Sequence, residues 1–407
     1  MVSRSLRVRI FAVFALAYFL SYSFRSIGAI IAPDLAQDLH LNPRELGLLA
    51  SVYFLAFFLA QPVIGVTMDR YGPARVNAAL IAIAALGAAL FAASHDLAAL
   101  ALGRALVGLG VAGALMTAFK AFVVWYAPRH REALSGGMMA VGGLAAMVTT
   151  SPAEMLMRTT GWRGLFWLLC GLSLVAAMLL LSATPSYAAT RADSAAAPGN
   201  PPAIGYRAIF TSRVFACYAP LAFFFSGGFS AIQSLWAGPW LVEVANLSRA
   251  DAARVLLIYG VGLLIGYLAI AFAGWRAQSR PGGPRNLYIA SLTLAFCALG
   301  AIISNRWPQS ALPWFAYGLV LGSGVLAYTA LLREFPIAIA GRVLTSYNMV
   351  MFLGGFMLQS GLGILIQRLI DLGHARAAAY QGAFGVLLAL QIASLAWFVL
   401  LSRADTR

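Results

Sequence analysis

The chain has 407 residues, of which 61% are hydrophobic and only 10% charged, and it carries a formal charge of +15. A water-exposed globular surface draws on about 25% charged residues, so this composition excludes an ordinary soluble domain. The excess charge comes from 27 arginines and one lysine that fall singly or in twos and threes between apolar runs, a pattern of membrane topology. It is not the clustered basic face, interleaved with aromatics, that nucleic acid requires.

At about 20 apolar residues per spanning helix the chain has room for roughly twelve spans. Apolar runs of that length occur at 8–31, 46–67, 76–94, 97–124, 133–156, 163–183, 214–236, 252–273, 287–304, 312–332, 343–366 and 379–401. The first follows the basic start MVSRSLRVRI and continues to Ile31 without an A-x-A cleavage site, so an uncleaved first span is expected. Between the sixth and seventh runs, TPSYAATRADSAAAPGNPPAIGYR is rich in Ala, Pro, Ser and Gly and reads as a flexible linker. The expected organisation is an all-α membrane protein with a six-helix bundle over 1–184, a cytoplasmic linker over 185–211 and a second six-helix bundle over 212–407.

With both termini in the cytoplasm, seventeen basic residues fall inside. Eight fall outside: Arg44, Arg158, Arg163, Arg249, Arg254, Arg306, Arg368 and Arg376. The remaining three, Arg25, Arg104 and Lys120, lie within spans, and the inside excess orients both ends inward. The halves also echo each other at an offset of about 210, YGPARVNAALIA facing GGPRNLYIASLTLA and YAPRHREALSGGMMAVGGL facing FPIAIAGRVLTSYNMVMFLGG, which implies a duplicated six-helix unit.

The most specific string is GVTMDRYGPAR at 65–75, between the second and third spans. Gly65 allows close helix approach, Gly72 supplies a turn open to positive φ, and Asp69 can sit at a helix N-terminus or pair with an arginine as an ionic latch. The string resembles the signature G-x-x-x-D-R-x-G-x-x-[RK] of the major facilitator superfamily, with Gly65, Asp69, Arg70, Gly72 and Arg75 at the matching positions. The resemblance extends over the whole chain, because twelve spans, a duplicated unit and a central linker are that family's layout. It implies two pseudo-symmetric bundles, alternating access, and a loop at 65–75 that gates and does not bind substrate. LALGRALVGLGVAGA at 100–114 resembles the family's fourth-helix motif, in which an arginine such as Arg104 is associated with proton coupling. Arg104 lies close enough to the outer boundary for simple snorkelling to remain open.

Tyr18, Tyr22 and Arg25 stand at i, i+4 and i+7 and share one polar face of an otherwise apolar helix, so Arg25 either faces a cavity or snorkels outward. Lys120 lies just inside the belt of Trp125 and Tyr126 and is open to either fate. Arg104 and Lys120 are sixteen residues apart, about 160° around an ideal helix, so both face one cavity only if the glycines between them bend the helix. In the second half Ser226, Ser230 and Gln233 share a face, as do Tyr317 with Tyr328 and Asn348 with Gln359. The first, fourth, seventh and tenth helices line the cavity of the resembled fold, so these are candidate substrate contacts, with helix-packing hydrogen bonds as the competing reading.

All thirteen acids lie in loops or near span ends, and Asp34 and Glu154, near the outer ends of the first and fifth spans, are the nearest candidates for a coupling site. The fifth span has glycines in SGGMMAVGGLAAM but lacks the G-P step of antiporters. There is no P-loop, and Cys170, Cys217 and Cys297 form no C-x-x-C, so no enzyme, cofactor, disulfide or metal site is expected. Cationic groups without a mid-span carboxylate favour a secondary carrier of a small organic anion, with Arg25 as the anchor. Efflux of amphipathic compounds, uptake of an inorganic anion, and a non-transporting scaffold on the same fold are the alternatives. The expected partners are the solute, a proton or other coupling ion, and the lipid bilayer, with one chain sufficient for function in a bacterial inner membrane.

Overall fold

A computed structural model describes residues 4–184, 206–277, 282–324, 326–327, 330–331, 335 and 340–403. In chain order the helices are α1 (Arg4–Ser26), α2 (Gly28–Asp38), α3 (Pro43–Tyr71), α4 (Pro73–Ala93), α5 (Leu97–Val111), α6 (Ala114–Trp125), α7 (Pro128–Val148) and α8 (Ser151–Ala183). There follow α9 (Tyr206–Phe210), α10 (Arg213–Glu243), α11 (Arg249–Ala277), α12 (Gly283–Ser304), α13 (Leu312–Leu321), α14 (Ala340–Asp371) and α15 (Arg376–Arg403). Among the described residues there is no strand, and ten helices are long and apolar enough to cross a membrane. The chain divides into two compact units, Met1–Asp34 with Val52–Gly199 and Leu35–Ser51 with Asn200–Arg407. Residues 185–205 of the expected linker lie outside the described residues, and its end forms α9.

Polar residues start these helices where backbone N–H groups lack partners. Asn42 and Glu45 form a reciprocal capping box at α3, each backbone N–H donating to the other's side-chain oxygen at 3.0 Å. Asp96 caps α5 through the Ala99 N–H at 2.9 Å, and Ser212 caps α10 through the Phe215 N–H at 3.1 Å. Gly72 separates α3 from α4 with φ 84°, a conformation that strains any residue bearing a Cβ, and Pro73 then opens α4.

Several apolar runs are not single helices. The first breaks at Ile27 into α1 and α2, and the fourth breaks at Ala112–Gly113 into α5 and α6. The fifth ends at Thr149–Thr150, where both hydroxyls donate back to carbonyls of the preceding turn. Its remainder joins the sixth run in α8 across Gly161, whose φ of 65° marks a kink. Hydropathy windows cannot register such breaks, because every flanking residue is apolar or small. In α10, two π-helical segments, Leu221–Gly227 and Ile232–Trp236, follow Pro220. Proline has no N–H to give the Ala216 carbonyl, and Trp397 Nε1 donates to it instead at 3.0 Å.

Inside each unit, glycines bring helices to backbone contact, the packing that substitutes for hydrophobic drive in lipid. In the first unit Gly108 of α5 lies against the backbone of Tyr53 on α3, and in the second Gly318 of α13 lies against that of Tyr259 on α11. The two pairs occupy matching places at offsets of 210 and 206, so the duplication read in the sequence is carried into the packing.

Candidate functional site

In the first unit, α1 presents Tyr18, Tyr22 and Arg25 on one face, and the Tyr18 and Tyr22 rings meet edge to face with centroids 6.2 Å apart. Gly142 of α7 closes one side, since a methyl group there would fall 3.0 Å from the Tyr18 ring and 3.2 Å from that of Tyr22. The Arg25 guanidinium carbon lies 5.5 Å from the Tyr22 ring centroid and 5.7 Å from that of Phe57 on α3. Tyr53, one turn before Phe57, places its side chain beside the same guanidinium. A cation framed by aromatic faces and a phenol is stabilised without being neutralised, and so stays able to grip an anion.

Arg104 approaches the same tyrosine. Its guanidinium carbon is 5.4 Å from the Tyr53 ring centroid and 5.9 Å from that of Phe91 on α4, and Nη1 donates to the Phe24 carbonyl at 3.2 Å. The side chain is only 3% exposed, so the snorkelling alternative does not describe it. The structure therefore brings Tyr18, Tyr22, Arg25 and Arg104 together and adds Tyr53, Phe57 and Phe91, which sequence reasoning missed. The only signal for Tyr53 and Phe57 was their i, i+4 spacing, which in an apolar run looks like ordinary core.

Other candidates lie elsewhere. Lys120 is half-buried on α6, past the break that separates it from Arg104. Glu154, in the first turn of α8, is held by Arg158 of the next turn at 2.9 and 3.1 Å, and Asp34 is half-buried near the middle of α2. Arg70 stacks on Tyr71 at 5.2 Å, and Arg75 is exposed. Gly65 lies within α3, the Asp69 side chain, on which the expected latch depends, is not described, and Tyr328 lies outside the described residues.

The second unit repeats the i, i+4, i+7 spacing on α10 with Ser226, Ser230 and Gln233, all buried. Ser226 Oγ is 3.4 Å from the Tyr347 hydroxyl of α14, while Ser230 Oγ donates to the Ser226 carbonyl of its own helix at 2.9 Å. Asn348 is buried next in sequence to Tyr347. Gln359, further along α14, is fully buried. Its Oε1 accepts from Ser234 Oγ at 3.2 Å and its carbonyl from Trp236 Nε1 at 3.1 Å, so it ties α14 to α10. Tyr317 is fully buried and stacks on Tyr259, centroids 6.1 Å apart and planes within 9°.

A separate groove of about 650 Å³ lies among α3, α4 and α5, with Leu59, Val63, Leu106 and Leu109 in its almost wholly apolar walls and Tyr71 and Arg75 at one end. It shares no residue with the Arg25 cluster. Among the described residues no group of acids, histidines and cysteines is placed to hold a metal.

The family model of the Major Facilitator Superfamily matches residues 14–359. A solved D-xylose-proton symporter superposes with a TM-score of 0.76 at 16% identity, covering 96% of this chain and 97% of that one. By sequence the chain is 23% identical over 389 residues to a hexuronate transporter of Bacillus subtilis, covering 91% of this chain and 88% of the relative. It is 27% identical over 168 residues to a probable sulfoacetate transporter, SauU, of Cupriavidus necator, covering 41% of this chain and only 39% of the relative's length. The chain belongs to the Major Facilitator Superfamily. It has that family's twelve-helix, multi-pass membrane fold.

Proposed function

We propose that the protein is a secondary carrier of a small organic anion or carboxylate-bearing solute, working by alternating access and coupled to a proton or another ion. The observation that carries this reading is the Arg25 guanidinium framed by Tyr22, Phe57 and Tyr53 within an apolar bundle. A guanidinium takes a carboxylate bidentately, and the tyrosine hydroxyls offer further donors to the remaining oxygens. Arg25 is the anchor, and Tyr18, Tyr22 and Tyr53 orient the solute. The names of the hexuronate and sulfoacetate relatives support an anionic substrate. The protein works as one chain in a bacterial inner membrane with both termini in the cytoplasm, a placement that rests on the arginine bias of its loops.

Ligand binding tests this reading, because a ligand at a hundred times its Kd raises stability by about 2.7 kcal/mol. Purified protein should melt higher with a hexuronate or another small carboxylate, and Arg25→Ala should lose that shift. A shift with lipophilic cations alone, unchanged in Arg25→Ala, would replace this reading with efflux of amphipathic compounds, the alternative that the apolar groove among α3, α4 and α5 favours.

A further inference from the structure

Arg104 is a cation at 3% exposure whose described partners are one carbonyl and two aromatic rings. No described carboxylate pairs with it. A charge in such surroundings is costly unless something of opposite sign meets it, and the Phe24 carbonyl satisfies only one of its five N–H donors. The duplication shows that packing does not demand an arginine there. In the second unit the matching place, 210 residues on, is held by Trp314, whose ring meets Tyr259 edge to face at 5.8 Å, much as Arg104 meets Tyr53 at 5.4 Å. An aromatic side chain thus fills the matching position against the matching tyrosine. The charge of Arg104 has a purpose that burial alone does not supply.

From this we infer that Arg104 is a second anion-binding group, and that Arg25 and Arg104, set on the two sides of Tyr53, together select a compact dianion such as a short dicarboxylate. The inference rests on the proposed anion site and names its substrate class more narrowly. One phenol stands between the two guanidinium groups, with Arg25 beside the Tyr53 side chain and Arg104 against the Tyr53 ring. Two like charges held around one side chain repel each other, and a ligand with an anionic group at each end relieves both at once. A monoanion relieves one and leaves the other.

The test is binding of acetate, malonate, succinate and glutarate to the full chain in lipid nanodiscs, by calorimetry, for the native protein, Arg104→Met and Arg104→Lys. The native protein should bind its best dicarboxylate at least about tenfold more tightly than acetate, the scale of one hydrogen-bonded charge pair. Arg104→Met, which keeps the length and apolar stem, should weaken dicarboxylate binding more than acetate binding and so lose that preference, and Arg104→Lys should keep most of it. Equal affinity of the native protein for acetate and the dicarboxylates would overturn the inference, and this comparison stands even if Arg104→Met does not fold. Unchanged preference in Arg104→Met, with Arg25→Ala losing every anion, would overturn the role of Arg104 and leave the anion site intact. Absence of binding by all four acids would overturn both.

Discussion

Replacing Gly108 by alanine should cost both stability and anion binding, and the structure sets the scale. A Cβ at Gly108 would fall 2.9 Å from the Tyr53 carbonyl carbon and from its Cα, and closer still to the carbonyl oxygen. These are backbone atoms that no rotamer change can move aside, so α5 must withdraw from α3 by about 1 Å to restore ordinary contact with the carbonyl oxygen. Overpacking of that kind costs about 1–3 kcal/mol. The displaced residue lies beside Arg25 and faces Arg104, so carboxylate affinity should fall as well. Gly318→Ala provokes the matching collision with Tyr259 in the second unit and should lower stability while leaving affinity nearly unchanged. Gly171, exposed on α8 with nothing near its missing Cβ, is the control, and Gly171→Ala should be neutral or stabilise by about 0.5–1 kcal/mol. Tryptophan-fluorescence melting in detergent, with and without a saturating carboxylate, reads both quantities. Equal melting of Gly108→Ala and Gly171→Ala would refute the reasoning.

Three further outcomes are expected. Tyr53→Phe removes the hydroxyl beside Arg25 while keeping the ring under Arg104, so carboxylate binding measured by calorimetry should weaken about three- to tenfold with little change in melting temperature. Ser234→Ala leaves the buried Oε1 of Gln359 without its donor and should cost about 1–3 kcal/mol in detergent melting, without affecting binding. Beyond the end of α6, burial pushes the Tyr126 hydroxyl up to about 12 while it donates to the Arg7 carbonyl. Its neutral form is therefore favoured by folding, and the stability it contributes is complete below pH 10 and lost as pH rises from 10 through about 12. Melting temperature followed across that window should fall less steeply in Tyr126→Phe than in the native protein.

Much of the first unit's site was legible because helical phase is a local property. The face shared by Tyr18, Tyr22 and Arg25 follows from spacing alone, and the cost of an arginine within a span marks Arg25 and Arg104 without any knowledge of the fold. What could not be read was the neighbour. Tyr53 belongs to a run whose residues all suit a lipid-buried helix, and only the approach of α5 at Gly108 brings it against Arg104. For Gln359 the neighbour was equally out of reach: its Oε1 accepts from Ser234 Oγ, while its Nε2 is buried with no hydrogen-bond partner among the described residues. The helix breaks at Ile27, Ala112–Gly113 and Thr149–Thr150 escaped detection because local hydrogen bonding makes them, whereas hydropathy reports only composition.

Counterflow in proteoliposomes tests the central claim most directly. Vesicles containing the purified protein are loaded with an unlabelled organic acid and diluted into a trace of the same acid carrying radiolabel. The account requires transient accumulation of label in loaded vesicles, none in empty ones, and its loss in Arg25→Ala protein that still melts cooperatively. Absence of counterflow for every organic acid, together with movement of lipophilic cations that Arg25→Ala does not alter, would contradict it.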